Sequence, residues 1–141
     1  SDSVTIVAHR GAAGKAPENT LASVRQALED QTDWVEIDVQ ETADGEVVVV
    51  HDSDFMKLAG NNVKIWDVTL AQLADIDVGS WFGKEFSAER VPTLQQVLEL
   101  ARLVAAGQGD DVDLGQRRAV TGADVLAVVE AHAAGPGAEP A

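Results

Sequence analysis

Titratable side chains stand at or beside short β-branched runs within the first 51 residues of the chain. These residues are His9, Arg10, Glu36, Asp38 and His51. In folds that are built on parallel strands, active sites form at the ends of the strands. The spacing therefore predicts one cluster that holds two imidazoles, a guanidinium group and a pair of carboxylates.

The carboxylates Glu36 and Asp38 have the spacing of a metal site on a β-strand. Side chains at positions i and i+2 share one face of a strand, so both can present oxygens to one cation. Oxygen ligands in a chain without cysteine favour Ca²⁺ or Mg²⁺. The alternative is a pair of exposed polar positions on a half-buried strand, which is the commoner origin of an isolated E-x-D pattern. Burial of the strand favours the metal site, because unpaired buried carboxylates are costly.

His9 and His51 are candidates for proton transfer. The unperturbed pKa of imidazole lies near neutrality, so two imidazoles can act as general acid and general base. A single histidine at a strand end is more often structural, whereas two beside a carboxylate pair favour catalysis. Arg10 can bind a phosphate through its forked donors. Its alternative role is a surface ion pair, which is common in so acidic a chain.

Two familiar phosphate-handling motifs are absent from the sequence. Residues 11–16 are rich in glycine and alanine, but no Ser or Thr follows Lys15, which excludes a P-loop. His51 and Asp52 lack the asparagine spacing of a kinase catalytic loop. His132 falls in a segment that is predicted to be helical, where a structural role is the simpler interpretation.

The composition describes an acidic globular domain. The chain has 141 residues, of which 45% are hydrophobic, and its formal net charge is -14. No basic patch is visible, so nucleic acid is not an expected partner. Acidity repels anionic substrates, so a phosphate substrate requires a local arginine, lysine or metal ion. No apolar run has the length of a membrane span, and residues 1–3 lack signal-peptide features, which leaves the compartment open.

The first half of the chain reads as a strand–helix–strand unit. Residues 4–8 are predicted as a buried strand, and Asn19 or Thr20 as the N-cap of a helix. Strict alternation over residues 34–39 predicts the second strand. This order is typical of a parallel sheet.

A turn signal at residues 43–45 separates the second strand from a third one over 47–50. The gap after Asp38 is too short for a crossover helix, so either a hairpin or an extended segment joins the two strands. Residues 53–92 form a long excursion that includes a short capped helix, and a further helix follows Pro92.

Taken in order, these residues resemble the motifs of the glycerophosphodiester phosphodiesterase (GDPD) family. The motifs are His9-Arg10-Gly11, Pro17-Glu18-Asn19-Thr20, Glu36-Ile37-Asp38-Val39, Thr42-Ala43-Asp44-Gly45, His51-Asp52 and Val91-Pro92-Thr93-Leu94. The resemblance spans residues 4–102, and the ordered set is highly specific although each motif alone is weak. The stretches 64–67 and 79–82 are similar to versions attached to membrane-spanning regions.

The resemblance implies an α/β fold, a TIM (β/α) barrel of the phospholipase C-like phosphodiesterase type. It implies that residues 1–102 are part of a catalytic domain and that 53–92 are an insertion over the barrel mouth. It also implies hydrolysis of glycerophosphodiesters to sn-glycerol 3-phosphate and an alcohol. His9 and His51 would then take the acid and base roles, and Arg10 would bind the phosphate. Glu36 and Asp38 would hold the divalent metal, Ca²⁺ or Mg²⁺.

The chain departs from the family pattern after residue 102. The family continues into a strand with a third metal-binding glutamate and a nearby lysine, and no E-x-K strand is apparent here. We therefore expect a partial barrel, truncated after its first three strands. The Ala/Gly-rich tail over 103–141 is expected to be unrelated to the family, with a helix over 120–133 and a disordered end from 135. A frameshift or fusion junction would explain this, and the nucleotide sequence of the locus tests it.

Three functions follow from this pattern. The first is a metal-dependent phosphodiesterase of glycerophospholipid metabolism, and the second is a catalytically dead fragment that acts as a binding or regulatory module. The third is phospholipase D-like or lyase-like action on lipid head groups. Open sheet edges also predict self-association. The resemblance implies a membrane tether in full-length relatives and favours a membrane-associated or extracytoplasmic location, with a cytoplasmic one left open.

Overall fold

The computed structural model describes residues 6–32, 34–108 and 127–131. Its main sheet contains four strands: β1 (Val7–His9), β2 (Trp34–Glu41), β3 (Val47–Val49) and β6 (Ala127–Ala131). β2 is the central strand, because it pairs with each of the other three. β1 and β6 run parallel to β2, whereas β3 runs antiparallel to it. The parallel β1–β2 pair confirms the predicted strand–helix–strand unit.

Helix α1 (Leu21–Glu29) connects β1 to β2 and starts where the sequence predicts. The Thr20 side chain accepts a hydrogen bond from the Ser23 amide, and the Ser23 hydroxyl accepts one from the Thr20 amide. This reciprocal capping box satisfies two donors that the first helical turn would otherwise leave unpaired. The buried face of α1 packs with helix α4 (Leu94–Gln108) over the inner face of β2.

Residues 53–92 build a folded unit with its own core. Its elements are β4 (Asp54–Phe55), α2 (Met56–Ala59), β5 (Asn61–Lys64), α3 (Leu70–Leu73) and two short 3-10 helices, Ile65–Asp67 and Lys84–Phe86. Val48 and Val50 join this second core, while Val49 points into the main core. Side chains alternate along a strand, so this hairpin strand contributes to both cores and thereby connects the insertion to the sheet.

The turn between β2 and β3 is also tied to the insertion. The Asp44 carboxylate accepts hydrogen bonds from the Thr42 hydroxyl at 2.5 Å and from the amide of Leu70 at 3.1 Å. The Thr42 hydrogen bond is the main cause that lowers the pKa of Asp44 below its ordinary value, and the Leu70 amide acts in the same direction. The first amide of α3 is thus anchored on the hairpin turn.

The structure decides between the two connections left open after β2, and it changes one expectation about the tail. β2 and β3 form a hairpin, so His51 follows an antiparallel strand and not the end of a parallel one. The helix expected over 120–133 is wrong for residues 127–131, which form strand β6. β2 offers backbone pairing to five residues of this apolar segment. The segment is too short for its apolar positions to show a clear helical period. Residues 120–126 and the expected disordered end from 135 lie outside the described residues.

Helix α4 continues past residue 102 to Gln108 without a break. Thr93 caps its start, because the Thr93 hydroxyl accepts a hydrogen bond from the Gln96 amide at 3.0 Å, as the motif after Pro92 predicts. Within the described residues, no helix combines the length and apolarity needed to cross a membrane.

Gly11 is the glycine on which the fold depends most directly. Its φ is +82°, and a Cβ at this position would lie 2.3 Å from Oγ of Ser23 in α1. We expect Gly11→Ala to lower the free energy of unfolding by about 3 kcal/mol, since backbone strain and a steric clash add. Urea unfolding followed by circular dichroism measures this loss.

Gly60→Ala is the matched control for this substitution. Gly60 also has a positive φ, +67°, but a Cβ there meets no heavy atom within 4 Å. We expect it to lose about 1 kcal/mol from backbone strain alone. Equal losses of unfolding free energy in the two variants would show that the turn at Gly11 does not pack tightly against Ser23 of α1.

Candidate active site

The turn after β1 has an unusual backbone. Arg10 and Gly11 both have positive φ, +53° and +82°, so the chain reverses sharply beyond His9. The Arg10 amide donates to Oε1 of Glu36 at 3.1 Å, and the Arg10 carbonyl accepts from the amide of Asn19 at 2.8 Å. The Ser23 hydroxyl donates to the same carbonyl at 3.2 Å. Contacts from β2 and from the start of α1 therefore hold this strained turn.

Asn19 joins the turn to the central strand. Its Nδ2 donates to Oδ2 of Asp38 at 3.0 Å, and its Oδ1 accepts from the Asp38 amide at 3.3 Å. Asp38 is 1% exposed, and Asn19 is also buried. Asn19 itself has a φ of +54°, a conformation that asparagine tolerates better than most residues. The Pro-Glu-Asn-Thr motif is thus a clamp between Arg10 and Asp38 as well as a helix start.

The guanidinium of Arg10 lies among carboxylates. Its Nη1 donates to Oε2 of Glu18 at 3.1 Å, and its Nε lies 3.6 Å from Oδ2 of Asp38. Nε is buried and makes no hydrogen bond with any described residue. The Asp38 carboxylate faces Nε as an ion pair at a distance longer than a hydrogen bond, while the Nη1 side of the fork is held by Glu18. This geometry fits the phosphate-binding role that the sequence predicts for Arg10.

The two histidines occupy different surroundings. His9 lies at the rim, 66% exposed, with Nε2 3.6 Å from Oε1 of Glu36. His51 is 36% exposed, and its Nδ1 lies 2.7 Å from Oδ1 of Asp52. A carboxylate at Nδ1 favours a proton on that nitrogen, so the neutral ring carries its lone pair on Nε2. This arrangement suits a histidine that exchanges a proton with substrate.

Gln40 holds the backbone of His51 in place. The carbonyls of Val50, His51 and Asp52 lie 3.2, 2.9 and 2.9 Å from its Nε2. Its amide has two hydrogens, so it satisfies at most two of these acceptors at once. The Val50 amide also donates to the Asp38 carbonyl at 2.9 Å. The hairpin therefore returns His51 alongside the strand that carries the carboxylate pair.

The structure brings most of the predicted site residues into one connected group. Direct contacts link His9, Arg10, Glu36 and Asp38, and His51 joins them through the backbone of the hairpin. The position of Gln40 was not predicted, although it continues the 36, 38, 40 alternation on β2. Lys57 was not predicted either, because only the folded insertion brings it to Glu18.

The donor chemistry of Glu36 and Asp38 fits a hard divalent cation, since both supply oxygen and no sulfur. Yet no group of three or more metal-ligating side chains forms within the part of the chain that the structure describes. One oxygen of each carboxylate already accepts from Arg10 or Asn19. If a cation binds here, these two side chains would supply only part of its coordination shell. On β6, Glu130 is the register partner of Asp38.

The clamp predicts a specific sensitivity at Asn19. Asn19→Asp keeps the size of the side chain but replaces the donor that faces Oδ2 of Asp38 with a second carboxylate oxygen. We expect the free energy of unfolding at pH 7 to fall by about 3 kcal/mol, because two buried carboxylates repel each other. Chemical denaturation measures it.

Asn19→Gly is the control, because glycine adopts the positive φ without strain and removes the amide without adding charge. It should lose less stability than Asn19→Asp. The opposite order would mean that the Asn19–Asp38 contact does not hold the turn onto β2.

Comparisons with known proteins identify the family of this chain. The model of the glycerophosphoryl diester phosphodiesterase family matches residues 9–133, a range that includes β6. The glycerophosphodiester phosphodiesterase of Caldanaerobacter subterraneus is 41% identical over 95 residues. Those residues cover 67% of this chain and 39% of that relative. The chain therefore spans well under half of that protein.

Two solved structures are similar. A phosphodiesterase of Oleispira antarctica in complex with its product sn-glycerol-3-phosphate is 39% identical, with a TM-score of 0.69. That match covers 72% of this chain and 41% of the Oleispira chain. A glycerophosphodiester phosphodiesterase of Agrobacterium tumefaciens is 28% identical with a TM-score of 0.71, covering 93% of this chain and 59% of that one. Sequence motifs, strand order and these likenesses agree, and the chain belongs to the glycerophosphoryl diester phosphodiesterase family.

Proposed function

We propose that this chain carries the phosphate-binding and proton-transfer half of a glycerophosphodiester phosphodiesterase site. The reaction is hydrolysis of a glycerophosphodiester to sn-glycerol 3-phosphate and an alcohol. The observation that carries the proposal is the Arg10 guanidinium, which Glu18 holds beside the carboxylate pair of β2. The bound sn-glycerol-3-phosphate of the Oleispira relative supports the same substrate class.

The geometry supports one proposed role for each of these side chains. Arg10 binds a phosphate oxygen through its fork, and its position is set by Glu18 and by the turn. His51 exchanges a proton at Nε2, because Asp52 occupies its Nδ1 side. His9 is the second proton-transfer group, at the rim beside Glu36. One imidazole takes a proton from the attacking water as its oxygen bonds to phosphorus, while the other protonates the departing alcohol as its P–O bond breaks.

Glu36 and Asp38 would hold a divalent cation, Ca²⁺ or Mg²⁺. When bound, such an ion neutralises charge on the phosphate oxygens. We further propose that β1, β2 and β6 are strands of a TIM barrel whose insertion, residues 53–92, lies over the site. The chain spans 39% of the length of the Caldanaerobacter relative.

The test of activity is the release of sn-glycerol 3-phosphate from glycerophosphocholine, measured with a coupled dehydrogenase. We expect product in the presence of Ca²⁺ or Mg²⁺ and none with chelator. His51→Ala should lower kcat by about 100-fold or more, since a positioned proton-transfer group contributes that much. Arg102→Gln is the control, because Arg102 is exposed and pairs only with Glu99 within the described residues.

Product formation in His51→Ala equal to that of the unmodified chain would contradict the proposal. A chain that binds sn-glycerol 3-phosphate without any turnover would instead be a binding module. Sphingomyelin and lysophosphatidylcholine complete the panel, and turnover of these alone would assign the lyase-like or phospholipase D-like reaction.

Metal binding has its own prediction. Calorimetric titration with Ca²⁺ should show binding that weakens by about tenfold or more in Glu36→Gln and Asp38→Asn, because affinity follows the count of charged ligands. Glu41→Gln is the control, on the exposed end of the same strand. The register of Glu130 beside Asp38 makes Glu130→Gln a useful third variant, which asks whether β6 contributes. Unchanged affinity in both Glu36→Gln and Asp38→Asn would remove the metal from this site.

A further inference from the structure

The carboxylate of Glu18 is shared between two cations from different parts of the fold. Its Oε2 accepts from Nη1 of Arg10 at 3.1 Å, and its Oε1 accepts from Nζ of Lys57 at 2.9 Å. Glu18 is 9% exposed. Arg10 belongs to the turn after β1, whereas Lys57 belongs to α2 in the insertion. A series of ionic contacts thus connects the partly exposed ammonium of Lys57, through Glu18, to the guanidinium of Arg10.

We propose that Lys57 is a positioning residue for phosphate binding, acting on Arg10 through Glu18. The inference rests on the proposed function, because it assigns Arg10 to the substrate phosphate. It gives the insertion a role in the chemistry of the site beyond covering it.

The physical reason is competition for the guanidinium. A buried carboxylate with one cationic partner binds that partner strongly, since solvent does little to weaken the attraction. A phosphate must share Arg10 with Glu18. Lys57 satisfies the other oxygen of Glu18 and offsets part of its charge, so Arg10 stays oriented yet remains able to bind a second anion. Without Lys57, Glu18 would hold Arg10 more tightly.

The position of Lys57 is fixed by the fold of the insertion. Its neighbours in sequence, Phe55 and Leu58, are buried in the second core at 0% and 5% exposure. Helix α2 ends at Gly60, whose positive φ closes it with a hydrogen bond to the Met56 carbonyl. Correct folding of the insertion therefore places the ammonium group of Lys57 beside Glu18.

A second lysine of the insertion provides the matched control. Lys64 is 42% exposed, close to the 47% of Lys57, and it lies 3.6 Å from Asp54. It also lies over the ring of Trp66 and makes no described contact with Glu18 or Arg10. Replacing either lysine with methionine removes one positive charge from the same unit.

The experiment is a double-mutant cycle read by two measurements. Calorimetry gives the Kd of sn-glycerol 3-phosphate, and the coupled assay gives kcat and KM for glycerophosphocholine. We expect Lys57→Met to raise both Kd and KM by about tenfold with kcat within twofold. Lys57→Arg should restore binding, and Lys64→Met should leave it unchanged. In a Glu18→Gln background, Lys57→Met should have no further effect.

The outcomes separate the inference from the proposed function. If the unmodified chain binds sn-glycerol 3-phosphate and Lys57→Met equals Lys64→Met, the inference is overturned and the proposed function stands. An equal loss on Lys57→Met in the Glu18→Gln background would also overturn it, because Lys57 would then act by long-range attraction. An unmodified chain that neither binds sn-glycerol 3-phosphate nor hydrolyses glycerophosphocholine overturns both.

Discussion

The burial of one carboxylate organises this structure. Asp38 is 1% exposed in the central strand, where an ionised group must be paired and hydrogen-bonded to be tolerated. Its partners come from the residues after β1 and before α1, so satisfying Asp38 brings Arg10 and Asn19 onto β2. Both residues adopt a positive φ in this arrangement. The contacts that satisfy Asp38 therefore also hold the segment between β1 and α1, where the candidate site lies.

The hairpin supplies the second constraint. Because β3 returns antiparallel to β2, the residues that follow it come back to the level of Asp38 rather than ending at a distant edge. The same strand divides its side chains between two cores, so the insertion and the main sheet share one element. Gln40 then fixes the carbonyls around His51. One strand pair, β2 and β3, thus sets the positions of His51 and of the two carboxylates.

Local patterns predicted much of this arrangement. Thr20 and Thr93 mark helix starts because capping depends on residues within one turn, and the alternation of 34–39 identified the buried and polar faces of β2. The Lys57–Glu18 contact spans 39 positions, so no local pattern reports it. The residues of β6 were expected to be helical. A short apolar run is compatible with a helix or a strand, and here its pairing with β2 makes it a strand. The direction of β3 also stayed open, because the sequence allowed either a hairpin or an extended connection after β2.

The central claim is that Arg10, held by buried carboxylates, binds the phosphate of a glycerophosphodiester. The most direct measurement is the phosphorus NMR signal of sn-glycerol 3-phosphate as the chain is added in the presence of Ca²⁺. The account predicts a saturable shift or broadening with the unmodified chain and its loss in Arg10→Gln, whose fold is checked by circular dichroism. The same saturable change in a folded Arg10→Gln variant, or none with the unmodified chain, would contradict it.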